Sequence, residues 1–191
     1  MMYDNAIIIA GGKSSRMGRD KALLPFGAFN TLAEFQQLRL EELFSQVFIS
    51  TKEDKFDFEA KYIYDRYEES SPLVAILSIF ETLDVDSVFV LSVDTPFVGK
   101  EIIESLCTQD NDDIDVIIAE SPSGEQPLCG FYKKSMLLVA QTQYKKGNHK
   151  LRDLLNLVNT KRVAFEDDVP FTNLNHPSDY EDALKVSLTQ V

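Results

Sequence analysis

Residues 6–21 read AIIIAGGKSSRMGRDK. The first five are apolar and three are β-branched, which suits a strand buried on both faces of a sheet. A glycine pair follows at once, then Lys13, Arg16, Arg19 and Lys21 with a single acid, Asp20, among them. A glycine-rich turn directly after a buried strand is where α/β folds place phosphates, because backbone N–H groups can approach an anion closely there. The stretch predicts an α/β fold with a polyphosphate site at one end of its sheet.

The rest of the chain repeats the alternation. Strand candidates are Ala6–Ala10, Val47–Ser50, Tyr62–Tyr64, Ser87–Val93, Asp115–Ala119, Leu128–Tyr132 and Arg162–Phe165. Thr31 and Glu34 form a capping box that opens a helix running to about Ser45, with Leu32, Phe35, Leu38 and Leu43 as its apolar stripe. Ser71 before Pro72 caps a second helix over LVAILSIFETL. Further helices are expected over Lys100–Cys107, Lys134–Tyr144 and Lys150–Val158, and Ser178 with Glu181 should cap a last one. Strands alternating with helices imply a mostly parallel sheet covered on both faces, and Leu128–Tyr132 reads as an antiparallel neighbour after the SPSGEQ turn. No repeat, low-complexity tract or linker interrupts the 191 residues, so residues 1–191 are expected to form one domain.

Composition narrows the function classes. The chain is 44% hydrophobic and 26% charged, as globular proteins are. Its formal net charge of −12 argues against general binding to DNA or to an anionic membrane. Residues 1–30 nevertheless hold four basic and two acidic side chains. A local positive site on an acidic background suits a polyphosphate substrate. Cys107, Cys129, His149 and His176 cannot be arranged into a zinc spacing, and the two cysteines read as small buried thiols in a reducing, cytoplasmic setting. The N-terminal apolar run is too short for a signal peptide or a membrane span.

Two familiar phosphate motifs fail. The glycines are adjacent, so the dinucleotide fingerprint is absent, and a P-loop would need glycine where Ile7 stands. A nicotinamide oxidoreductase and a P-loop NTPase both lose their main support. The second chemical feature is Asp94, directly after the buried strand and followed by Thr95-Pro96. A carboxylate at a strand mouth can form a turn or cap; standing opposite a basic glycine-rich loop, it can also hold Mg²⁺ against phosphates.

The stretch from Ile9 to Gly27 resembles the nucleotidyltransferase family whose members begin L-A-G-G-x-S-x-R-M-G-x-D-K, and more narrowly its molybdenum cofactor guanylyltransferase branch, the MobA type. Further matches are SPLVAI (71–76), SVDTPF (92–97), QPLCGFY (126–132) and NLNHPSDY (173–180). The resemblance implies a Rossmann-like three-layer α/β/α nucleotidyltransferase fold and transfer of GMP from GTP to the molybdopterin cofactor, with Mg²⁺ and with transient contact to other molybdenum cofactor proteins. It implies nucleotide contacts from Ile9, Ala10, Gly11, Gly12, Lys21, Ser50, Asp65 and Asp94. Arg16, Lys21 and Asp94 would be catalytic, Asp94 would bind the metal, and Lys150 and Asn175 would face the pterin substrate.

Some positions depart from the family pattern. Ser50 stands where many members have asparagine, Ser71 and Ala75 replace two glycines, and Gln126 replaces a histidine. Related readings are therefore a cytidylyltransferase, a sugar-phosphate nucleotidyltransferase, or a nucleotide-binding regulator without catalysis. The stretch KKGNHKLR (145–152) carries Lys145, Lys146, Lys150 and Arg152 without an acid, either as an ordinary basic helix end or as a face for the second substrate. His176 reads as a surface histidine.

Overall fold

The computed structural model describes residues 3–11 and 19–187. Seven strands form one sheet: β1 (Tyr3–Ile9), β2 (Phe44–Thr51), β3 (Lys61–Tyr64), β4 (Ser87–Ser92), β5 (Val116–Ser121), β6 (Gly124–Lys133) and β7 (Thr160–Ala164), in the order β3-β2-β1-β4-β6-β5-β7. All pairings are parallel except those of β6, which runs antiparallel to both β4 and β5. The expected antiparallel neighbour is thus present, and it reaches further than expected in both directions. Ser121 pairs with Gly124, so SPSG makes a tight hairpin turn rather than a long loop, with Gly124 at φ 121°.

The helices are α1 (Leu32–Glu41), α2 (Pro72–Thr82), α3 (Lys100–Cys107), α4 (Leu137–Lys145), α5 (Leu151–Leu155) and α6 (Pro177–Ser187). Ala6 and Ile8 of β1 pack with residues of α1, α3 and α6, while Ile7 and Ile9 pack with α2, α4 and α5. Alternation along one strand therefore feeds two separate cores, giving a three-layer α/β/α architecture. Among the described residues, no helix is long and apolar enough to cross a membrane.

Four local expectations need correction. Helix α1 ends at Glu41, and its inward face is Leu32, Ala33, Gln36, Gln37 and Leu40, whereas Leu38 is 44% exposed. Two glutamines on the buried face hid the true phase of the stripe. Helix α5 stops at Leu155, where Thr160 Oγ1 donates to the Leu155 carbonyl at 2.8 Å as the chain turns into β7. The SPSD helix begins at Pro177, so Ser178 lies inside it. Asp179 takes over the capping role, its Oδ2 accepting the N–H groups of Asn175 and His176 at 3.0 and 2.8 Å. Finally, Lys134–Met136 forms a 3₁₀ turn ahead of α4. The Thr31 and Ser71 caps are as expected, accepting from Glu34 N and Val74 N at 3.0 and 3.2 Å.

Candidate functional site

Strand order reverses at β1, which has β2 on one side and β4 on the other. At such a switch point the carboxyl ends of the strands open a crevice. Register decides which residues meet there: Ile9 lies opposite Ser50 of β2 and Ser92 of β4, and Ser50 lies opposite Ile63 of β3. Val93 N–H then donates to Ile9 O at 3.1 Å, and Asp65 N–H to Thr51 O at 3.1 Å. The ends of four strands are level with one another.

A cavity of about 650 Å³ opens over β1–β3 and is lined by Ile9, Gly11, Ser50, Asp65, Ser71 and Ala75 among others. Four of the expected nucleotide contacts are thus gathered in one place, together with the two positions that replace the family's glycines. Ala10 lies just beneath, 4% exposed, its N–H donating to Ser50 O and its carbonyl accepting from Lys55 Nζ at 3.0 Å. A side chain at Gly11 would point at Asp65, with Oδ2 3.9 Å from the added carbon. Burial raises the Asp65 carboxyl above its usual range, partly offset by the charge of Lys52. Its Oδ1 is buried and has no hydrogen-bond partner among the described residues. A buried acceptor left unsatisfied by the protein is suited to a ligand donor.

Lys21 is placed by a short 3₁₀ turn, Lys21–Leu23, which Asp20 caps by accepting Ala22 N–H at 3.0 Å. Sequence reading missed that turn. It brings Lys21 Nζ within 2.9 Å of both Asp94 Oδ2 and Asn175 Oδ1. Ser92 Oγ–H donates to the other Asp94 oxygen at 2.6 Å, and Leu174 N–H donates to the Asp94 carbonyl at 3.0 Å. The Lys21 and Asp94 side chains are only 14% and 17% exposed, so their charges act in a partly desolvated setting. Three residues from the start, middle and end of the chain make one cluster.

A second cavity, about 760 Å³, opens on the other side of β4 and is lined by Asp94, Asn173, Lys150, Arg152, Asp153 and Gln126 among others. Pro72, Ser92 and Leu128 line both cavities, so the two adjoin at the end of β4. The basic KKGNHKLR segment divides. Lys150 and Arg152 face this cavity, whereas Lys145 and Lys146 are exposed at the end of α4 and His149 stacks on Tyr144 with ring centres 5.0 Å apart. Lys150 and Asp94 therefore share a cavity. Asn175 reaches the site through Lys21, and its neighbour Asn173 supplies the cavity wall. His176 is exposed.

Gly12, Lys13 and Arg16 lie outside the described residues. Ser92, Asn173, Gln126 and Arg152 were not singled out as site residues, although all four stand inside stretches already noted. Among the described residues no group of three or more histidines, cysteines or carboxylates could hold a metal. A divalent ion fits differently: the Asp94 carboxylate retains acceptor capacity beyond its two bonds, and Asn175 Oδ1 stands beside it. One carboxylate completed by phosphate oxygens and water is a coordination Mg²⁺ favours. Cys107 and Cys129 are free thiols, and burial pushes the Cys129 thiol up to about 12.

Solved structures of nucleotidyltransferases have the same architecture. Molybdopterin-guanine dinucleotide biosynthesis protein A from Archaeoglobus fulgidus superimposes with a TM-score of 0.83 at 19% identity, covering 98% of this chain and 100% of its own. A CMP:2-keto-3-deoxy-manno-octonic acid synthetase complexed with CTP gives 0.81 at 13% identity, covering 99% and 100%. The fold is the Rossmann-like α/β fold of the nucleotidyltransferases. Residues 6–163 match the model of the MobA-like NTP transferase domain, and the chain belongs to that family. Curated relatives named molybdenum cofactor guanylyltransferase include one from Campylobacter jejuni, 38% identical over 179 residues (93% of each chain), and one from Helicobacter pylori, 34% identical over 186 residues (94% of this chain and 91% of the other).

Proposed function

We propose that this chain transfers GMP from GTP to the terminal phosphate of the molybdopterin cofactor, releasing pyrophosphate and forming the guanine dinucleotide cofactor. The observation that carries the proposal is the Lys21–Asp94–Asn175 cluster beside two adjoining cavities, in a chain whose relatives bear that activity in their names. GTP would occupy the cavity over β1–β3, with Ile9, Gly11, Ser50 and Asp65 around its nucleoside. Molybdopterin would occupy the cavity walled by Lys150 and Asn173, and the two phosphates would meet near Asp94.

The step needs no covalent enzyme intermediate. An oxygen of the acceptor phosphate bonds to the α-phosphorus of GTP, the bond from that phosphorus to the bridging oxygen breaks, and pyrophosphate carries away the electron pair. The nucleophile is already ionised at neutral pH, so the protein's tasks are alignment and charge neutralisation. Lys21, together with Arg16, would offset charge on the departing pyrophosphate. Asp94 and Asn175 would hold Mg²⁺, which supplies Lewis-acid polarisation of phosphate oxygens when bound. A cytoplasmic setting suits the two free cysteines, and residues 1–191 would act as one domain.

Incubation of the chain with molybdopterin, Mg²⁺ and each of GTP, CTP, ATP and UTP tests the reading. Pyrophosphate and the guanine dinucleotide should form with GTP, and GTP should stabilise the chain most in a thermal shift, by about 2.7 kcal/mol at 100 times its Kd. Turnover with CTP instead would establish cytidylyl transfer, and Ser71 and Ala75, which replace two of the family's glycines, line the cavity where the base would sit. Nucleotide binding without turnover would make the chain a regulator.

A further inference from the structure

Helix α1 turns an amide into the core. Gln36 is fully buried on a face otherwise formed by Leu32, Ala33, Gln37 and Leu40. Such a group is costly unless its donors and acceptor are satisfied. Its Nε2 approaches three carbonyls: Thr95 O at 3.1 Å, Val93 O at 3.3 Å and Ser92 O at 3.5 Å. Its Oε1 accepts from one Arg39 guanidinium nitrogen, and the other terminal nitrogen of Arg39 donates to Val98 O. Burial pulls that guanidinium down to about 10.

These carbonyls bracket Asp94. The chain leaves the sheet here: β4 ends at Ser92, Val93 N–H makes the last bond to β1, and Pro96 offers no N–H. Where no ladder fixes the backbone, another donor must. Leu174 N–H satisfies the Asp94 carbonyl itself, and Gln36 attends to the residues on either side. A satisfied core amide could direct its donors anywhere; this one directs its Nε2 donors at the turn that aims one carboxylate.

We propose that Gln36 is a positioning residue for nucleotidyl transfer: through the Ser92, Val93 and Thr95 carbonyls it fixes the turn that holds the Asp94 carboxylate against the Lys21 ammonium and toward the reacting phosphates, with Arg39 orienting the Gln36 amide. The inference rests on the reading of Asp94 as the residue that meets those phosphates. A displacement of about 1 Å at such a group can cost on the order of 10²-fold in rate.

Two variants of the intact chain test it. Gln36→Met keeps the length and bulk but removes the donors; Gln36→Glu keeps an acceptor for Arg39 and removes the donors. In both, kcat should fall about 10- to 100-fold while the KM for GTP stays within about threefold, the split expected when alignment rather than binding is lost. Amide hydrogen exchange supplies a readout that needs no substrate. Protection of the Leu174 amide, which is bonded to Asp94 O, should fall at least about tenfold, while the sheet-centre amides of Ile8 and Phe89 keep theirs. A wild-type chain inactive with GTP and molybdopterin would sink the proposed function and leave the exchange result to judge the positioning role. Wild-type protection at Leu174, with kcat within about twofold in both variants, overturns the proposal. So does a uniform loss of protection across the sheet with unchanged kcat per folded molecule, since that marks a packing role. If Gln36→Met does not fold, Gln36→Glu, which retains the bond to Arg39, decides alone.

Discussion

Lys21 Nζ lies 2.9 Å from Asp94 Oδ2, a contact that closes 73 residues of chain and joins the 3₁₀ turn at Lys21–Leu23 to the mouth of β4. The same ammonium is 2.9 Å from Asn175 Oδ1, so the family's first, middle and last motifs converge on one nitrogen. Removing either charge leaves the other partly desolvated with a lost partner, and the two should behave as a unit.

Lys21→Ala is expected to lose about 10²- to 10³-fold in kcat/KM, the scale of one preorganised charge contact in a transition state, about 3–4 kcal/mol. Asp94→Asn should reduce transfer at least as far, because a neutral amide is a poor Mg²⁺ ligand. The double variant should be little worse than the worse single one. Steady-state kinetics of the four-membered cycle check this; strict additivity would mean that the two residues act independently.

Asp65→Asn separates stability from binding. Burial raises the Asp65 pKa in the folded chain above its unfolded value, so the folded state binds more protons between the two values. Stability should therefore fall as pH rises through that window, starting from the ordinary aspartate range near 4, and the loss should be complete above the raised pKa. The asparagine variant lacks this slope. It should be at least as stable as wild type near pH 7, with the difference closing as pH falls, and should bind GTP about tenfold or more weakly because the unpartnered Oδ1 charge is gone. Urea titrations from pH 4 to 8 and GTP calorimetry provide the two measurements.

Lys150→Glu should raise the Kd for molybdopterin while leaving that for GTP near wild type. Lys150 is exposed and lines the cavity that holds Asp94, not the one over β1–β3. Charge reversal beside a phosphate combines lost attraction with new repulsion, and the effect should shrink with added salt because exposed charges are screened over about 8–10 Å. Separate titrations with the two substrates at low and high salt give the answer. Equal weakening of both, or of neither, would remove Lys150 from the site.

Gly130→Ala tests the sheet beneath the site. Gly130 lies between Val90 and Ile118, next to the irregularity where β6 carries Pro127, and an added Cβ would come within 2.1 Å of Ile117 O. Backbone cannot yield there without parting β5 from β6, so the substitution should cost about 3 kcal/mol or more, the upper end for overpacking. Chemical denaturation measures it; a loss under about 1 kcal/mol would show that the ladder shifts freely.

Much of the fold and half of the site were legible along the chain. Ala6–Ala10 and Ser87–Val93 announced central strands because burial on both faces demands unbroken apolar runs, and Thr31, Ser71 and Pro72 announced helix starts because orphan N–H groups demand side-chain acceptors. The glycine pair, Lys21 and Asp94 were readable as candidate site residues because glycine, cation and carboxylate next to strand ends have few other uses, whereas Asp65 was legible only through the resemblance to the family. The buried face of α1 was not readable: Gln36 and Gln37 stand where the pattern wants apolar residues, and only their partners on distant loops make them tolerable. Ser178 reads as a cap along the chain, but Asp179 takes both N–H groups.

The sequence by itself determined the kinds of element, their order, and the chemical groups available at the strand ends, since periodicity, capping and motif spacing are local properties. Tertiary structure decided the rest. It set Ile9 level with Ser50 and Ser92, divided the crevice into two cavities, brought Lys21, Asp94 and Asn175 onto one point, and put Gln36 behind the turn. Those contacts join residues tens of positions or more apart, and strand order and register fix them. Register is settled only when both faces of the whole sheet are buried at once.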